Sequence, residues 1–421
     1  MLDLSCLCDQ RFYIVGLGVS GLSAARALSQ AGAQVWTWDD RPENIRDFPV
    51  AAPDEMDYAG LSALILSPGI PLTHGVPHRA AVLAQAAGID VISDVELAFR
   101  AGLKARVIGI TGTNGKSTTA ALVHHVLTAL DQQSCIAGNF GPPILECADP
   151  GPEGFMVLEL SSYQLDLSPA YPLEVACLLN ISEDHLERHG GMAGYARAKA
   201  RIFNQAKGRI VTGQDPQSLA IAAEVGAEIL GPKDWDQFSD TAFLCGQHNR
   251  QNQAAACAIL RKLGFKRHAI IGAIEHFTGI AHRQEILGTA GPWTFVNDSK
   301  ATNVESAVRA LKSFTRIHWL AGGQSKAGGF AKLAPALRQV HHAYIYGENA
   351  DDLADFCRNQ GLNYDRFETL DQAVECAMQA PSGGTLLLSP ASASWDQYVS
   401  FEARGNHFRQ LVSPYLSNGG R

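Results

Sequence analysis

Residues 107–119, Val-Ile-Gly-Ile-Thr-Gly-Thr-Asn-Gly-Lys-Ser-Thr-Thr, narrow the folds open to this chain more than any other stretch. The run Val107, Ile108 and Ile110 predicts a buried strand, Gly112 and Gly115 a turn, and Lys116, Ser117 and Thr118 the entry to a helix. A glycine turn between strand and helix is a phosphate cradle, because its backbone N–H groups and the positive end of the helix face an anion. Lys116 can reach the outer phosphates, and the Ser117 hydroxyl can ligate Mg2+. The loop is a variant: Ile110 stands where the usual pattern carries glycine, and the nearest upstream glycine is Gly109.

A second glycine turn opens the chain. Phe12–Val15 reads as a strand, Gly16-Leu17-Gly18-Val19-Ser20-Gly21 as a turn, Leu22–Ala31 as an amphipathic helix, and Gln34–Trp38 as a strand that delivers Asp39. This order is the dinucleotide-binding fingerprint, in which the turn takes a pyrophosphate and the acid a ribose hydroxyl. NAD, FAD and a UDP-sugar all carry those groups, so the pattern leaves the ligand open. A nicotinamide-dependent oxidoreductase would draw on Gly16 to Asp39 alone and leave the later motifs idle. Ala63–Leu66 is a further strand, and Ser67-Pro68-Gly69-Ile70-Pro71 ends it on the edge where such sheets bind ligands.

Beyond the phosphate loop, Ser134–Ala137 reads as a strand and Gly138-Asn139-Phe140-Gly141-Pro142-Pro143 as a turn that presents the Asn139 amide. The strand Phe155–Leu160 brings Glu159 to its C-terminal end, where Mg2+ is commonly held beside a phosphate loop. Val175–Leu179 runs into Asn180-Ile181-Ser182-Glu183-Asp184-His185, which puts a carboxylate and an imidazole on the same sheet edge as Glu159 and Lys116. His185 and His189 have zinc-like spacing but no third ligand close by. Lys199 lies in a basic helical stretch, residues 195–203, and reads by itself as a solvated lysine. His248-Asn249-Arg250-Gln251-Asn252 reads as a capping segment before a helix over Gln253–Lys262.

In the last third, His282-Arg283 follows a turn at Gly279, and the strand Trp293–Val296 ends in Asn297-Asp298-Ser299-Lys300-Ala301-Thr302-Asn303. A polar loop of that kind after a strand is more often functional than structural. Ile317–Ala321 leads to Gly322-Gly323-Gln324-Ser325-Lys326, and Thr385–Leu388 leads to the loop from Ser389 to Asp396. The fold class expected is α/β in three domains, each a mainly parallel sheet with flanking helices. These are a Rossmann-like domain over 1–93, a P-loop-type ATPase domain over 94–280, and a Rossmann-like domain over 281–421.

Composition excludes several classes. A length of 421 residues suits about three domains. A formal net charge of −8 with no local basic patch argues against a nucleic-acid partner. No basic start followed by an apolar run opens the chain, and no stretch approaches the roughly 18 apolar residues of a membrane span, so a cytoplasmic location is expected. The nine cysteines are scattered, with only Cys6 and Cys8 close together, and are expected to be reduced and mostly buried.

Taken together, Gly112-Thr113-Asn114-Gly115-Lys116-Ser117-Thr118, Asn180 to His185, His248 to Asn252, His282-Arg283 and Asp298-Ser299-Lys300-Ala301-Thr302-Asn303 resemble the Mur ligase family, in order along the whole chain. The Asp298–Asn303 run is similar to the members that join D-glutamate to UDP-N-acetylmuramoyl-L-alanine, an ATP-dependent amide ligation in peptidoglycan precursor synthesis that passes through an acyl phosphate.

The resemblance implies roles residue by residue. Gly18, Ser20, Asp39, Arg41, Asn139 and His185 would hold the UDP substrate. Residues Gly112 to Thr118, with Asn252, Arg283 and Asp298, would hold ATP. Ser117, Glu159, His185 and Lys199 would serve Mg2+, with Lys199 carrying a carbamate in place of its cation. His282, Lys300, Thr302, Lys326, Ser394 and Phe401 would surround the amino acid. The catalytic set would be Lys116, His185, Lys199, Lys300 and Lys326. Partners would be the UDP-linked acceptor and D-glutamate, with neither nucleic acid nor membrane span, on a monomeric chain. One departure is that the third lobe reads Gln324-Ser325-Lys326-Ala327-Gly328-Gly329, where family members often carry Asp beside the lysine and again before the aromatic.

Overall fold

The computed structural model describes residues 2–41, 47–73, 75–168, 171–241, 243–324 and 329–418. Lys326 lies outside them. Three sheets form, one in each part of the chain. The first has strands β1 (Arg11–Val15), β2 (Gln34–Trp38), β3 (Ala63–Leu66) and β4 (Val91–Ile92), all parallel in the order β2-β1-β3-β4. The second has β5 (Arg106–Thr111), β6 (Ser134–Gly138), β7 (Phe155–Glu159), β8 (Val175–Leu178), β9 (Gly208–Val211) and β10 (Glu228–Ile229). They run parallel in the order β10-β9-β8-β5-β7-β6.

The third sheet has β11 (Glu285–Ala290), β12 (Trp293–Asn297), β13 (Ile317–Gly322), β14 (Val340–Tyr346), β15 (Tyr364–Phe367) and β16 (Thr385–Leu388). Its order is β11-β12-β16-β13-β14-β15, parallel except for the hairpin of β11 with β12. The chain packs into two compact units. One runs to Ser239 and takes in Gln247–Phe277, so it holds the first two sheets; the other comprises Asp240–Gly246 and the chain from Thr278 onward.

The inner strands are buried on both faces, as β3, β7, β8 and β16 show, which is why they read as continuous apolar runs rather than alternating ones. Strand order reverses around β1 and β5, where neighbours lie on opposite sides of the first strand laid down, and in such sheets the crevice at that point is the ligand site. Both glycine turns of the sequence leave the sheet there.

Two helices start earlier than their patterns suggest. Val19–Gln30 begins inside the first glycine motif, with Gly18 as its N-cap. Gln247–Lys262 absorbs the polar segment His248 to Asn252 into its own first turns, so that segment is helix and not a cap. All nine cysteines are free thiols; four are buried and Cys6 and Cys8 are exposed, so burial is less general than composition suggested. Among the described residues no helix is long and apolar enough to cross a membrane.

The first turn depends on two glycines of different kinds. A Cβ on Gly21 would stand 1.9 Å from the Gly16 carbonyl oxygen, so the helix could not approach the turn. A Cβ on Gly18 would meet nothing within 4 Å. Gly21→Ala is therefore expected to cost at least about 2 kcal/mol, while Gly18→Ala costs less than about 1 kcal/mol. Paired melting curves check this; equal losses would show that the close approach is not what selects Gly21.

Candidate active site

The phosphate loop is shaped by two left-handed glycines. Gly115 has φ +86°, and a Cβ there would lie 2.4 Å from Asn252 Oδ1, so the helix Gln247–Lys262 packs directly against the loop. Asn252 also takes the Thr119 hydroxyl at 3.3 Å and donates to Asn249 Oδ1 at 3.1 Å. The other side of the loop is pinned by the strand end after β8. Asn180 Oδ1 accepts from Asn114 N at 2.9 Å, its Nδ2 donates to Asn114 O at 3.0 Å, and Thr113 N donates to Asn180 O. The Thr113 hydroxyl lies 3.2 Å from both Ser182 O and the Tyr195 hydroxyl.

Two amines meet on one oxygen at the centre of this loop. Lys116 Nζ donates to Gly112 O at 2.9 Å and to Thr113 O at 3.0 Å. Lys199 Nζ donates to the same Gly112 O at 2.9 Å and stands over the Tyr195 ring, 4.7 Å from its centroid. Lys199 is only 1% exposed, which corrects its reading as a solvated lysine. Burial, and then the Lys116 charge, hold its pKa well below the usual lysine range. Tyr195, four residues before Lys199 on one helix face, is a partner that the spacing alone could have suggested.

A short polar chain runs from this loop into a cavity. Ser117 donates its hydroxyl to one oxygen of Glu159, and Asn139 Nδ2 donates to the other at 2.7 Å. Glu159 is 2% exposed, at the end of β7. Asn139 lines a cavity of ≈ 620 Å3 together with Gly18, Ser20, Asp39 and Arg41. Five of the six residues expected to hold the UDP substrate thus share one pocket; His185 is not among its lining residues. Asp39 accepts from Leu17 N at 2.7 Å and from Arg41 N at 2.9 Å, so its carboxylate braces the first turn as well as facing the cavity. Tyr163, Gln164 and Ser67 also line it. Ser67 opens the loop expected at the ligand-binding edge, whereas Tyr163 and Gln164 were not expected, because a pocket-facing tyrosine or glutamine carries no motif.

His185 has φ +52°, an uncommon conformation for a residue other than glycine, and is the N-cap of the short helix Leu186–His189. Its ring lies 3.5 Å from Asp184 and 5.0 Å, centroid to centroid, from Tyr163. Among the described residues no three His, Cys, Asp or Glu side chains converge as a metal cluster. The donors here are instead a hydroxyl and a carboxylate, Ser117 and Glu159, in contact beside the phosphate loop. That set fits Mg2+, which keeps waters and phosphate oxygens as most of its ligands.

The second unit gathers its own polar residues at the ends of β12, β13 and β16. Asp298 is buried, accepting from Gln284 N at 3.1 Å and from the Ser389 hydroxyl at 2.7 Å. Burial pushes its pKa up to about 7, against the opposing pull of those bonds and of Arg283. Arg283 sits between His282 and Gln284, both at positive φ. His282 is buried, its Nδ1 3.0 Å from Asn297 Nδ2, and burial holds its pKa below the usual histidine value. Its ring stands edge-on to Phe401, over which Lys300 Nζ lies 3.9 Å from the centroid. Lys300 N bonds His282 O at 3.0 Å, and Thr302 N bonds Lys300 O at 2.7 Å.

Ser394 is buried in the loop after β16. Arg404, fully buried, was missed by sequence reasoning. Its guanidinium donates to Ser299 Oγ and O, Gly322 O, Ser392 O and Ala393 O, so it ties the end of β13 to the loops that follow β12 and β16. No local pattern marks it, since its partners are mostly backbone carbonyls, the nearest of them 11 residues away.

A phosphate loop that abuts a nucleotide-type cavity, with an acid at the adjoining strand end, defines an α/β enzyme of the phosphate-loop nucleotide-binding class. The chain belongs to the Mur ligase family, whose members are ATP-dependent ligases: residues 110–231 match the Mur ligase middle domain and residues 282–392 the Mur ligase glutamate ligase domain. It is 41% identical to the UDP-N-acetylmuramoylalanine–D-glutamate ligase of Dinoroseobacter shibae over 96% of this chain and 97% of that one. The protein of the same name from Caulobacter vibrioides is 38% identical over 98% of each. The fold resembles the crystal structure of UDP-N-acetylmuramate–alanine ligase from Thermotoga maritima, with a TM-score of 0.61 at 18% identity over 97% of this chain and 99% of that one.

Asp298 gives a pH test. With its carboxyl raised from 3.8 to about 7, the folded lobe retains a proton that the unfolded chain releases, so stability drains away as pH rises through that window. Asp298→Asn cannot ionise. It is expected to raise the melting temperature more at pH 8 than at pH 5; a gain independent of pH would mean the carboxyl is not buried as described.

Proposed function

We propose that this protein joins D-glutamate to UDP-N-acetylmuramoyl-L-alanine at the expense of ATP, in the cytoplasm, as a step of peptidoglycan precursor synthesis. The observation that carries the reading is the chain Asn139–Glu159–Ser117, which links the cavity of the first lobe to the phosphate loop within one compact unit. The relatives' names supply the identity of the substrates.

In this reading the glycine turn at Gly16 to Gly21, with Ser20, Asp39 and Arg41, takes the uridine diphosphate, and Asn139 guides the far end of the acceptor toward Glu159. Lys116 leaves its loop carbonyls to meet the β- and γ-phosphates, while Asn252, Arg283 and Asp298 serve the adenosine and outer phosphates. Bound Mg2+, held by Ser117, Glu159 and His185, would neutralise charge on the phosphates. The acceptor carboxylate attacks the γ-phosphorus, ADP leaves, and an acyl phosphate forms. The amine of D-glutamate then displaces phosphate, losing its proton as the amide forms. His282, Lys300, Thr302, Lys326, Ser394 and Phe401 receive the D-glutamate, the cations meeting its carboxylates. Such chemistry needs positioning and charge neutralisation more than a covalent nucleophile, in keeping with a site rich in lysines and glycines.

Lys199 fits a further role within this reading. Burial and the Lys116 charge disfavour the ammonium form, and the neutral amine can attack CO2, releasing a proton and leaving a carbamate anion that would help hold Mg2+. The overall reading is tested by phosphate release from ATP with UDP-N-acetylmuramoyl-L-alanine and D-Glu, L-Glu, D-Asp or no amino acid. Release is expected with D-Glu far above the other three, and Lys116→Ala should reduce it by about a thousandfold. Turnover retained in Lys116→Ala, or equal release with every amino acid, would contradict it.

A further inference from the structure

The loop from Ser67 to Thr73 belongs to the first lobe, but two side chains of the central domain hold it. Arg188, in the short helix Leu186–His189, donates Nη2 to the Ile70 carbonyl. Its guanidinium lies over the Tyr163 ring, 5.4 Å from the centroid. Ile70 and Tyr163 both line the cavity. At the far end of the loop, the Thr73 hydroxyl donates to Asp166, which in turn lies 3.4 Å from Arg201.

Arg188 is not a choice made for stability. Its Nη1 is buried with no hydrogen-bond partner among the described residues, and burial depresses its pKa. Leaving a guanidinium donor unmade is costly, and an apolar or amide side chain could fill the same space without that cost. What the arginine adds is a tether. It also sits at the head of a ring stack: Tyr163 is 5.0 Å from His185 and 5.6 Å from His189, and His189 is 5.4 Å from Tyr195, whose hydroxyl meets Thr113 of the phosphate loop.

We propose that Arg188 is a positioning residue for the UDP-linked acceptor: anchored on Tyr163, it clamps the Ile70 carbonyl and so fixes how far the Ser67–Thr73 loop stands from the central domain. The clamp rests on the reading of this cavity as the acceptor pocket, but its mechanical part does not. Arg188→Gln removes the tether and Arg188→Lys keeps one donor within reach of Ile70.

In steady-state assays Arg188→Gln is expected to raise KM for UDP-N-acetylmuramoyl-L-alanine about tenfold while kcat and KM for ATP change less than about twofold, with Arg188→Lys recovering most of the loss. The melting temperature should hold or rise. Acceptor KM unchanged, or every parameter falling together with the melting temperature, would overturn the proposal. Hydrogen exchange needs no ligand. The Ile70 N–H, bonded to Ser67 O at 2.9 Å, should exchange faster in Arg188→Gln. Unchanged exchange overturns the clamp whatever the substrate proves to be, whereas faster exchange with no binding of the UDP compound by wild type would leave the clamp standing and sink only the substrate assignment.

Discussion

The carbonyl oxygen of Gly112 accepts hydrogen bonds from two lysines at once, and much of the active-site chemistry follows from that contact. Two ammonium groups on one oxygen in a buried setting repel each other, and the more deeply buried one gives way. Lys199, at the end of its helix and under Tyr195, has its charged form disfavoured by burial and by the Lys116 charge, while Lys116 stands at the more exposed mouth of the loop. A loop of ordinary polar residues could not set two amines of identical chemistry to different tasks. Here depth and the neighbouring charge together separate them.

The same loop is braced on every side by groups that carry no net positive charge. Asn180 closes a pair of bonds with Asn114, Asn252 packs against Gly115, and Glu159 holds Ser117 and Asn139 together. These braces fix the shape of the loop before any anion arrives, which is the kind of preorganisation that favours charge developing in a transition state. Glu159 also joins the loop to the cavity wall through Asn139.

How much of this the sequence revealed depends on the range of the interaction. The two glycine turns, the strand before each, and the acids at Asp39 and Glu159 were legible because each is a local pattern with a local physical cause: a turn needs φ > 0, a strand needs apolar runs, and a parallel strand presents its last residue at one rim. The burial of Lys199 was not legible. A basic helical stretch gives no sign of which lysine faces a neighbouring strand end, and only the family resemblance contradicted the solvated reading. Arg404 and Arg188 were invisible for a related reason, since their partners are mostly backbone carbonyls lying 11 to 118 residues away, and a carbonyl is present at every position. The helix Gln247–Lys262 began earlier than its apolar periodicity because its first turns are held by polar contacts to the phosphate loop and not by a hydrophobic face.

The central claim is that the cavity and the phosphate loop serve one reaction, in which the carboxylate of the cavity's ligand attacks the γ-phosphorus. Isotope transfer tests it most directly. With UDP-N-acetylmuramoyl-L-alanine carrying a heavy oxygen isotope in its terminal carboxylate, the account predicts that each inorganic phosphate released with D-glutamate contains one oxygen drawn from that carboxylate. Phosphate whose added oxygen comes only from solvent water would mean that ATP is hydrolysed without activating the acceptor, and the coupling of the two sites would be contradicted.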